Sequence, residues 1–424
     1  GFETIPYHDQ LTDGNQACVA NWTSRREFST ASFVLRDYDF QQSLVDLTVR
    51  QNATDSASTW DWYHFPGRYF DSDRGQDLAR IRSEAQTAKD QDIGLEISSD
   101  GIQAGNLFTL QDHPLDDFNQ EYLVTGTEIR ATSQDLTVLG PGAASSSFFS
   151  QLTVQSSASP FRTPPRTKRV LMPGPQIATV VGPSDQEIWT DQYGRIKVKF
   201  AWDMNASNDD SCSCWIRVSQ PWTGKGWGAI AIPRIGEEVI VQFLDGDVDR
   251  PIVIGRVYNA QHMPPEALAD GQAKTVLRTR STMDGEADNF HELSFDDTSG
   301  SERIFFQSER DFDRVVKNND SLRVGFDGQD AGDQSIDIYN DQTLNVGQGS
   351  GTGNQTIEIA QNRSITIDSG DDQLLIQKGN GEITAAQGGI SISGQTSLTL
   401  KCGGSSIELS TDGVTIKGSL VQIN

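Results

Sequence analysis

Residues 241–259 read VQFLDGDVDRPIVIGRVYN, and the fold turns on what Asp245, Asp247 and Asp249 do there. Their alternation matches the start of a calcium loop, which also needs glycine at its sixth position and a bidentate glutamate at its twelfth. Arg250 and Arg256 hold those two positions, and a guanidinium there repels calcium. The apolar runs EEVIVQFL and PIVIG bracket the carboxylates, Gly246 supplies a flexible turn and Pro251 opens the return strand. The stretch therefore reads as a hairpin between two strands, with Ile254 buried and Asp247→Asn expected to change no activity.

Outward from this hairpin, QIATVVG, RIKVKFAW, CWIRVSQ and GAIAIP are further short apolar runs between residues 176 and 258, each bounded by Gly, Pro or Asp. Such strands without an intervening helix point to a small closed barrel of the oligonucleotide/oligosaccharide-binding (OB) type, since closure leaves no exposed edge. Trp189, Trp202, Trp215, Trp222 and Trp227 cluster here with few basic residues among them. They read as packing or subunit-contact aromatics rather than a stacking platform for bases or sugars. Cys212 and Cys214 would lie on one face of a strand, and with no second Cys or His pair nearby they read as packing, not as a zinc site.

Upstream, the first 165 residues mix strand-like segments, SFVLRDYDF and EYLVTGTEIRAT, with DSDRGQDLARIRSEAQTAKDQD. There Leu78, Ile81, Ala85 and Ala88 recur at helical spacing and Ser72 or Asp73 can cap the start, so one helix is expected against a sheet. From Ser145 to Pro175 the chain turns to Ser, Pro and basic residues, the composition of an extended connector. These shifts divide it into residues 1–165, 166–265 and 266–424.

Downstream, apolar pairs recur in short alternating segments, among them Ile336/Ile338, Leu344/Val346, Ile357/Ile359, Ile365/Ile367, Ile407/Leu409 and Val421/Ile423, with most steps of seven to nine residues. Gly, Asn, Asp and Ser fill the turns between them. A strand with a single apolar face cannot bury that face alone and must stack on copies of itself. A unit this short supplies about one face, which three intertwined chains could complete as a triangular prism; one chain coiling alone would need roughly three units per turn.

The remaining chemistry is sparse. A net charge of −25 disfavours nucleic acid and anionic lipid as standing partners. Four cysteines are too few for a disulfide scaffold at 424 residues, and no apolar run approaches the roughly 20 residues of a membrane span. The opening GFETIPYHDQ lacks Met and any charged-then-apolar leader, and reads as a fragment. His8, His64, His113, His262 and His291 form no H-E-x-x-H or H-x-H pattern, there is no G-x-S-x-G elbow, and WTGKGWG lacks the upstream glycine of a P-loop. No catalytic residue, metal ligand or cofactor is assigned.

Two longer runs carry a family resemblance: GPQIATVVGPSDQEIWTDQYGRIKVKFAWD, and SCWIRVSQPWTGKGWGAIAIPRIGEEVIVQFLDGDVDRPIVIGRVYNAQHMPP. They resemble the VgrG spike proteins of bacterial type VI secretion. YHFPGRYFDSDRGQDLARIRSEA and GNLFTLQDHPLDDFNQEYLVTGTEIRA resemble the second half of that family's phage-hub-like domain, and SSIELSTDGVTIKGSLVQIN resembles the end of its β-helix.

The resemblance implies a mainly β, multidomain homotrimer: an α+β hub-like domain, an OB-type β-barrel, then a triple-stranded intertwined β-helix as needle. It implies a secretion tube protein at the hub base, a PAAR-type tip protein on the needle end at Val421, Gln422, Ile423 and Asn424, secreted effectors as cargo, transient membrane contact and delivery outside the cell. It carries over no catalytic residue. The family's hub begins upstream of the residues resembling Gly1, so the tube-docking surface is not legible here. Two other readings fit the same strands: a phage tail spike or baseplate hub, and an envelope glycan hydrolase or lyase on a β-solenoid.

Overall fold

The computed structural model describes residues 3–11, 17–26, 30–53, 59–89, 91–99, 101–132, 147–163, 166–325, 332–348 and 352–423. They are mainly β with one α-helix, and they fall into two compact units, Gly1–Asp313 and Arg314–Asn424.

The N-terminal part of the first unit holds β1 (Thr4–Pro6), β2 (Val19–Arg26), β3 (Ser32–Leu35), β4 (Val49–Asn52), β5 (Asp61–His64), α1 (Ser72–Lys89), β6 (Gln91–Ile97), β7 (Leu107–Gln111), β8 (Glu121–Thr132) and β9 (Ser147–Ser156). Six strands pair in the order β1-β7-β8-β9-β6-β2, and a parallel bridge between Tyr7 and Val19 brings the two outer strands together. Ile5, Val19, Leu95, Phe108, Tyr122, Leu152 and Val154 fill the interior. The connector expected from Ser145 to Pro175 is corrected in its first part, where Ser147–Ser156 form strand β9. Leu152 and Val154 alternate inward within SFFSQLTVQS, a period-two signal that the surrounding serines obscure.

A second, three-stranded sheet, β4-β3-β5, carries α1. The helix face differs from the one its large residues suggest: Gly75, Ala79 and Ser83 are buried, while Ile81, Ala85 and Ala88 are only partly covered. Small residues face inward because Tyr69 lies beneath them; a Cβ on Gly75 would sit 2.6 Å from its ring. The cap also shifts by one residue, since the Arg74 N–H donates to Asp71 Oδ1 at 2.8 Å.

Tyr69 is 2% exposed, and its hydroxyl lies between the carbonyls of Leu35, at 2.9 Å, and Leu47. Burial pushes its pKa up to about 12, so the phenol stays neutral. Tyr69→Phe is expected to cost about 1–3 kcal/mol by leaving buried carbonyls unsatisfied, read as a lower urea midpoint. Because the folded value lies above the unfolded one, the native protein should lose stability as pH rises from about 10 towards 12, and the Phe variant should lack that component.

The rest of the first unit contains β10 (Gln176–Val181), β11 (Lys197–Phe200), β12 (Arg217–Val218), β13 (Trp222–Thr223), β14 (Gly228–Ala229), β15 (Glu238–Phe243) and β16 (Pro251–Arg256). Five of these pair as β11-β10-β15-β16-β12. The end strands meet where Ile196 and Ile216 exchange both backbone hydrogen bonds, at 3.0 and 2.8 Å, which closes the barrel. Ala178, Val180, Ile196, Val198, Ile216, Val239, Val241, Phe243 and Val253 form its core.

The hairpin of β15 and β16 is present, with a register shift. Ile240 pairs with Gly255 and Val241 with Val253, so Ile254 is the extra residue of a bulge and points outward, 44% exposed. The expectation that Ile254 is buried is therefore corrected; Val253, 1% exposed, is the core residue. Asp247 is also corrected from a dispensable turn residue to a buried one.

A final sheet of the first unit is a meander of β17 (Lys274–Arg278), β18 (Glu292–Asp296) and β19 (Arg303–Gln307). In the second unit β20 (Ser397–Cys402), β21 (Ser405–Ser410) and β22 (Gly413–Lys417) form another antiparallel meander. The preceding described residues, from Arg314 onward, form no strand.

Candidate assembly surface

The residues singled out as possible chemistry do not converge. Asp245 is exposed in a left-handed conformation at φ 54°, and Asp249 is exposed and pairs with Arg169. His113 packs among Tyr7, Trp22 and Phe118, and its Nδ1 accepts from the Leu115 N–H at 3.1 Å. His291 Nδ1 accepts from the Glu309 N–H at 3.1 Å. His64, held below its usual pKa by burial and by Arg82 and Arg68, stacks at 5.9 Å on Trp62. Among the described residues no group of three or more His, Cys, Asp or Glu side chains could hold a metal ion, and no helix is long and apolar enough to cross a membrane.

Cys212 and Cys214 stand in a loop before β12, which corrects their placement on a strand. The Asp209 carboxylate makes that loop by accepting the Ser211 N–H at 2.8 Å and the Ser207 hydroxyl at 2.7 Å, a turn that competes with pairing. Trp189 and Trp215 pair at 4.4 Å with Lys197 Nζ over both rings, and Trp202 stacks on Phe200 at 5.0 Å. Trp222 and Trp227 meet edge to face at 5.2 Å on the exposed β13–β14 hairpin.

The uncovered surface includes many large apolar side chains. In the meander of β17 to β19, Leu277, Ile304, Phe306 and Phe312 are exposed, and Phe306 and Phe312 meet at 5.0 Å beside an open pocket of about 440 Å³. The same sheet is anchored by charge: Arg278 pairs with Glu292, 7% exposed, and with Glu266 at 2.9 Å. Burial pushes the Glu292 carboxyl up, but the Arg278 guanidinium, the Ser294 hydroxyl and Lys274 together more than offset this and leave it below the usual range.

In the second unit most of the apolar pairs are exposed among the described residues. Ile336/Ile338, Leu344/Val346, Ile357/Ile359, Ile365/Ile367, Ile390/Ile392, Ile407/Leu409 and Val414/Ile416 all face solvent in the single chain. Covering an isoleucine is worth about 1.5–3 kcal/mol, so a row of this length is a large unmet driving force for association. The row ends at Val421 and Ile423, exposed beside Gln422; Asn424 lies outside the described residues. The periodicity was visible in the sequence, whereas the apolar face of the β17–β19 meander was not, because its strands are separated by long polar turns.

Comparisons with known proteins match these parts in order. Residues 1–135 match the phage tail baseplate hub model, residues 177–258 the type VI secretion system/phage-baseplate injector OB domain, and residues 275–391 the bacteriophage T4 gp5 C-terminal trimerisation domain. The type VI secretion system spike protein VgrG1a of Pseudomonas aeruginosa is 43% identical over 328 residues, 77% of this chain and 51% of that protein. VgrG1c of the same organism is 42% identical over 330 residues, 77% of this chain and 45% of that protein. The actin cross-linking toxin VgrG1 of Vibrio cholerae is 34% identical over 367 residues, 82% of this chain and 32% of that protein. The chain thus spans about half the length of the Pseudomonas relatives. A solved Escherichia coli component of the type VI secretion system aligns at 18% identity with a TM-score of 0.35, covering 60% of this chain and 49% of that one. With hub, OB and trimerisation modules in one chain and relatives above 40% identity over 77% of it, the chain belongs to the VgrG family of type VI secretion spike proteins.

Proposed function

We propose that three copies of this chain form a mechanical spike that tips a secreted tube, punctures target membranes and carries tip and effector proteins, without catalysing a reaction. The observation that supports this most is the row of exposed apolar pairs in the second unit, lying largely within the span matched by the trimerisation model. Each pair supplies one face, and three intertwined copies turn that face inward and leave almost no free strand edge. We read residues 1–165 as hub, 166–265 as OB barrel and 266–424 as connector and needle. The hub base would sit on the tube protein, and Val421, Gln422, Ile423 and Asn424 would receive a PAAR-type tip by strand addition. A net charge of −25 keeps the outside hydrated and weakly attracted to anionic lipid, consistent with brief membrane contact during delivery out of the cell.

Sedimentation velocity at micromolar concentration tests the assembly. The expected species has three times the 46.5 kDa chain mass, and a stable monomer under those conditions would defeat the proposal.

A further inference from the structure

We infer that the hub and the OB barrel are locked into one body by a cluster of charges built around two buried carboxylates, Asp247 and Asp37, in which Asp247 is the central positioning residue. Asp247 is 1% exposed although it sits in the loop between β15 and β16. Its Oδ2 lies 3.5 Å from Arg68 Nη2 in the hub, and its Oδ1 lies 3.3 Å from Arg169 Nη2 in the connecting segment. Arg169 also pairs with Asp249. Three residues beyond Asp247, Arg250 faces the hub's Asp37, itself 7% exposed, with Nη1 3.9 Å from Oδ1. Asp37 accepts the backbone N–H of Arg68 and, at 2.7 Å, that of Tyr38.

Three carboxylates, Asp37, Asp247 and Asp249, thus meet three guanidiniums, Arg68, Arg169 and Arg250, so the cluster is neutral as a whole. Backbone contacts hold the loop in place. Leu171 bridges to Asp247, and the Met172 N–H donates to the Gly246 carbonyl at 2.8 Å. The hub's Phe40 makes a second contact with the barrel, with Arg217 Cζ 4.7 Å from its ring centre and Tyr193 at 5.3 Å in an edge-to-face arrangement.

Ion pairs made by buried carboxylates add little stability compared with an apolar contact of the same size, but removing one partner strands the other. It therefore specifies one docking geometry: a sliding or tilting barrel would bring unpaired charges face to face. The lock does not depend on the spike reading. Its mechanical meaning does rest on that reading, since thrust on a hub reaches a needle only if the barrel between them does not hinge.

The test separates the lock from that role. A site-specific protease sequence is inserted between the exposed Arg166 and Thr167 of the full chain, and association of the cleaved halves is followed by gel filtration over a dilution series. The parent halves are expected to co-elute. Asp247→Ala and Arg68→Ala are each expected to weaken association on the order of a hundredfold, and the double variant no further than about the worse single one. Asp245→Asn, in the same loop but outside the cluster, should match the parent. Arg68→Ala lies in the hub and leaves the barrel sequence intact, so its loss of affinity cannot come from an unfolded barrel. Parent halves that separate on cleavage, or an Arg68→Ala chain whose halves bind like the parent's, overturn the inference.

Discussion

Val253→Asp is expected to unfold the OB barrel, whereas Ile254→Asp, one residue on, should leave it folded. Val253 is 1% exposed, pairs with Val241 on β15 and with Val218 on β12, and belongs to the core with Val198, Ile196 and Ile216. An aspartate there removes a buried valine and puts an unpaired carboxylate among aliphatic side chains with no donor in reach, a combination that costs above about 4 kcal/mol. That is a large share of the stability of a typical domain. Ile254 projects from the bulge and is 44% exposed, so a carboxylate there stays hydrated and should cost less than about 1 kcal/mol. Urea unfolding followed by tryptophan fluorescence reports on the barrel through Trp189 and Trp215. Equal losses in the two variants would contradict the register of β16.

The same residue pair shows how far the sequence could be read. The apolar runs around DGDVDR were enough to place two strands and a turn, because burial on one face imposes the alternation. They were not enough to set its phase, because the extra residue opposite Ile240 and Val241 flips everything after it to the other face. Strand β9 was hidden for a related reason: only Leu152 and Val154 mark its inner face, within a serine-rich stretch. The helix was legible in its extent, but its docked face follows Gly75 and Ala79, chosen by the Tyr69 ring rather than by hydrophobic size. Asp247 was least legible of all. Its partners, Arg68 and Arg169, stand far away in the chain, and no local pattern distinguishes a carboxylate that turns a hairpin from one that fixes two modules. The apolar repeat of the second unit was legible because each short unit states its own incompleteness, and that incompleteness is what the structure of one copy displays.

Replacing Ile365 and Ile367 together by Asp is expected to break trimer assembly through the second unit while leaving the first unit folded. In one copy these side chains are 61% and 47% exposed, so in an isolated chain the change swaps exposed apolar groups for hydrated carboxylates and should cost almost nothing. In a trimer with the apolar faces inward, each substitution enters three times. Lost burial alone then amounts to about 10 kcal/mol per assembly, before like charges crowd around the axis. The two situations predict opposite results from one variant. Sedimentation should show less trimer and more free chain, and added salt should restore some of it by screening the carboxylates. Tryptophan fluorescence should not change, because Trp189 and Trp215 lie in the barrel. Unchanged sedimentation would place Ile365 and Ile367 outside any subunit contact, and the apolar row would then need a covering other than copies of this chain.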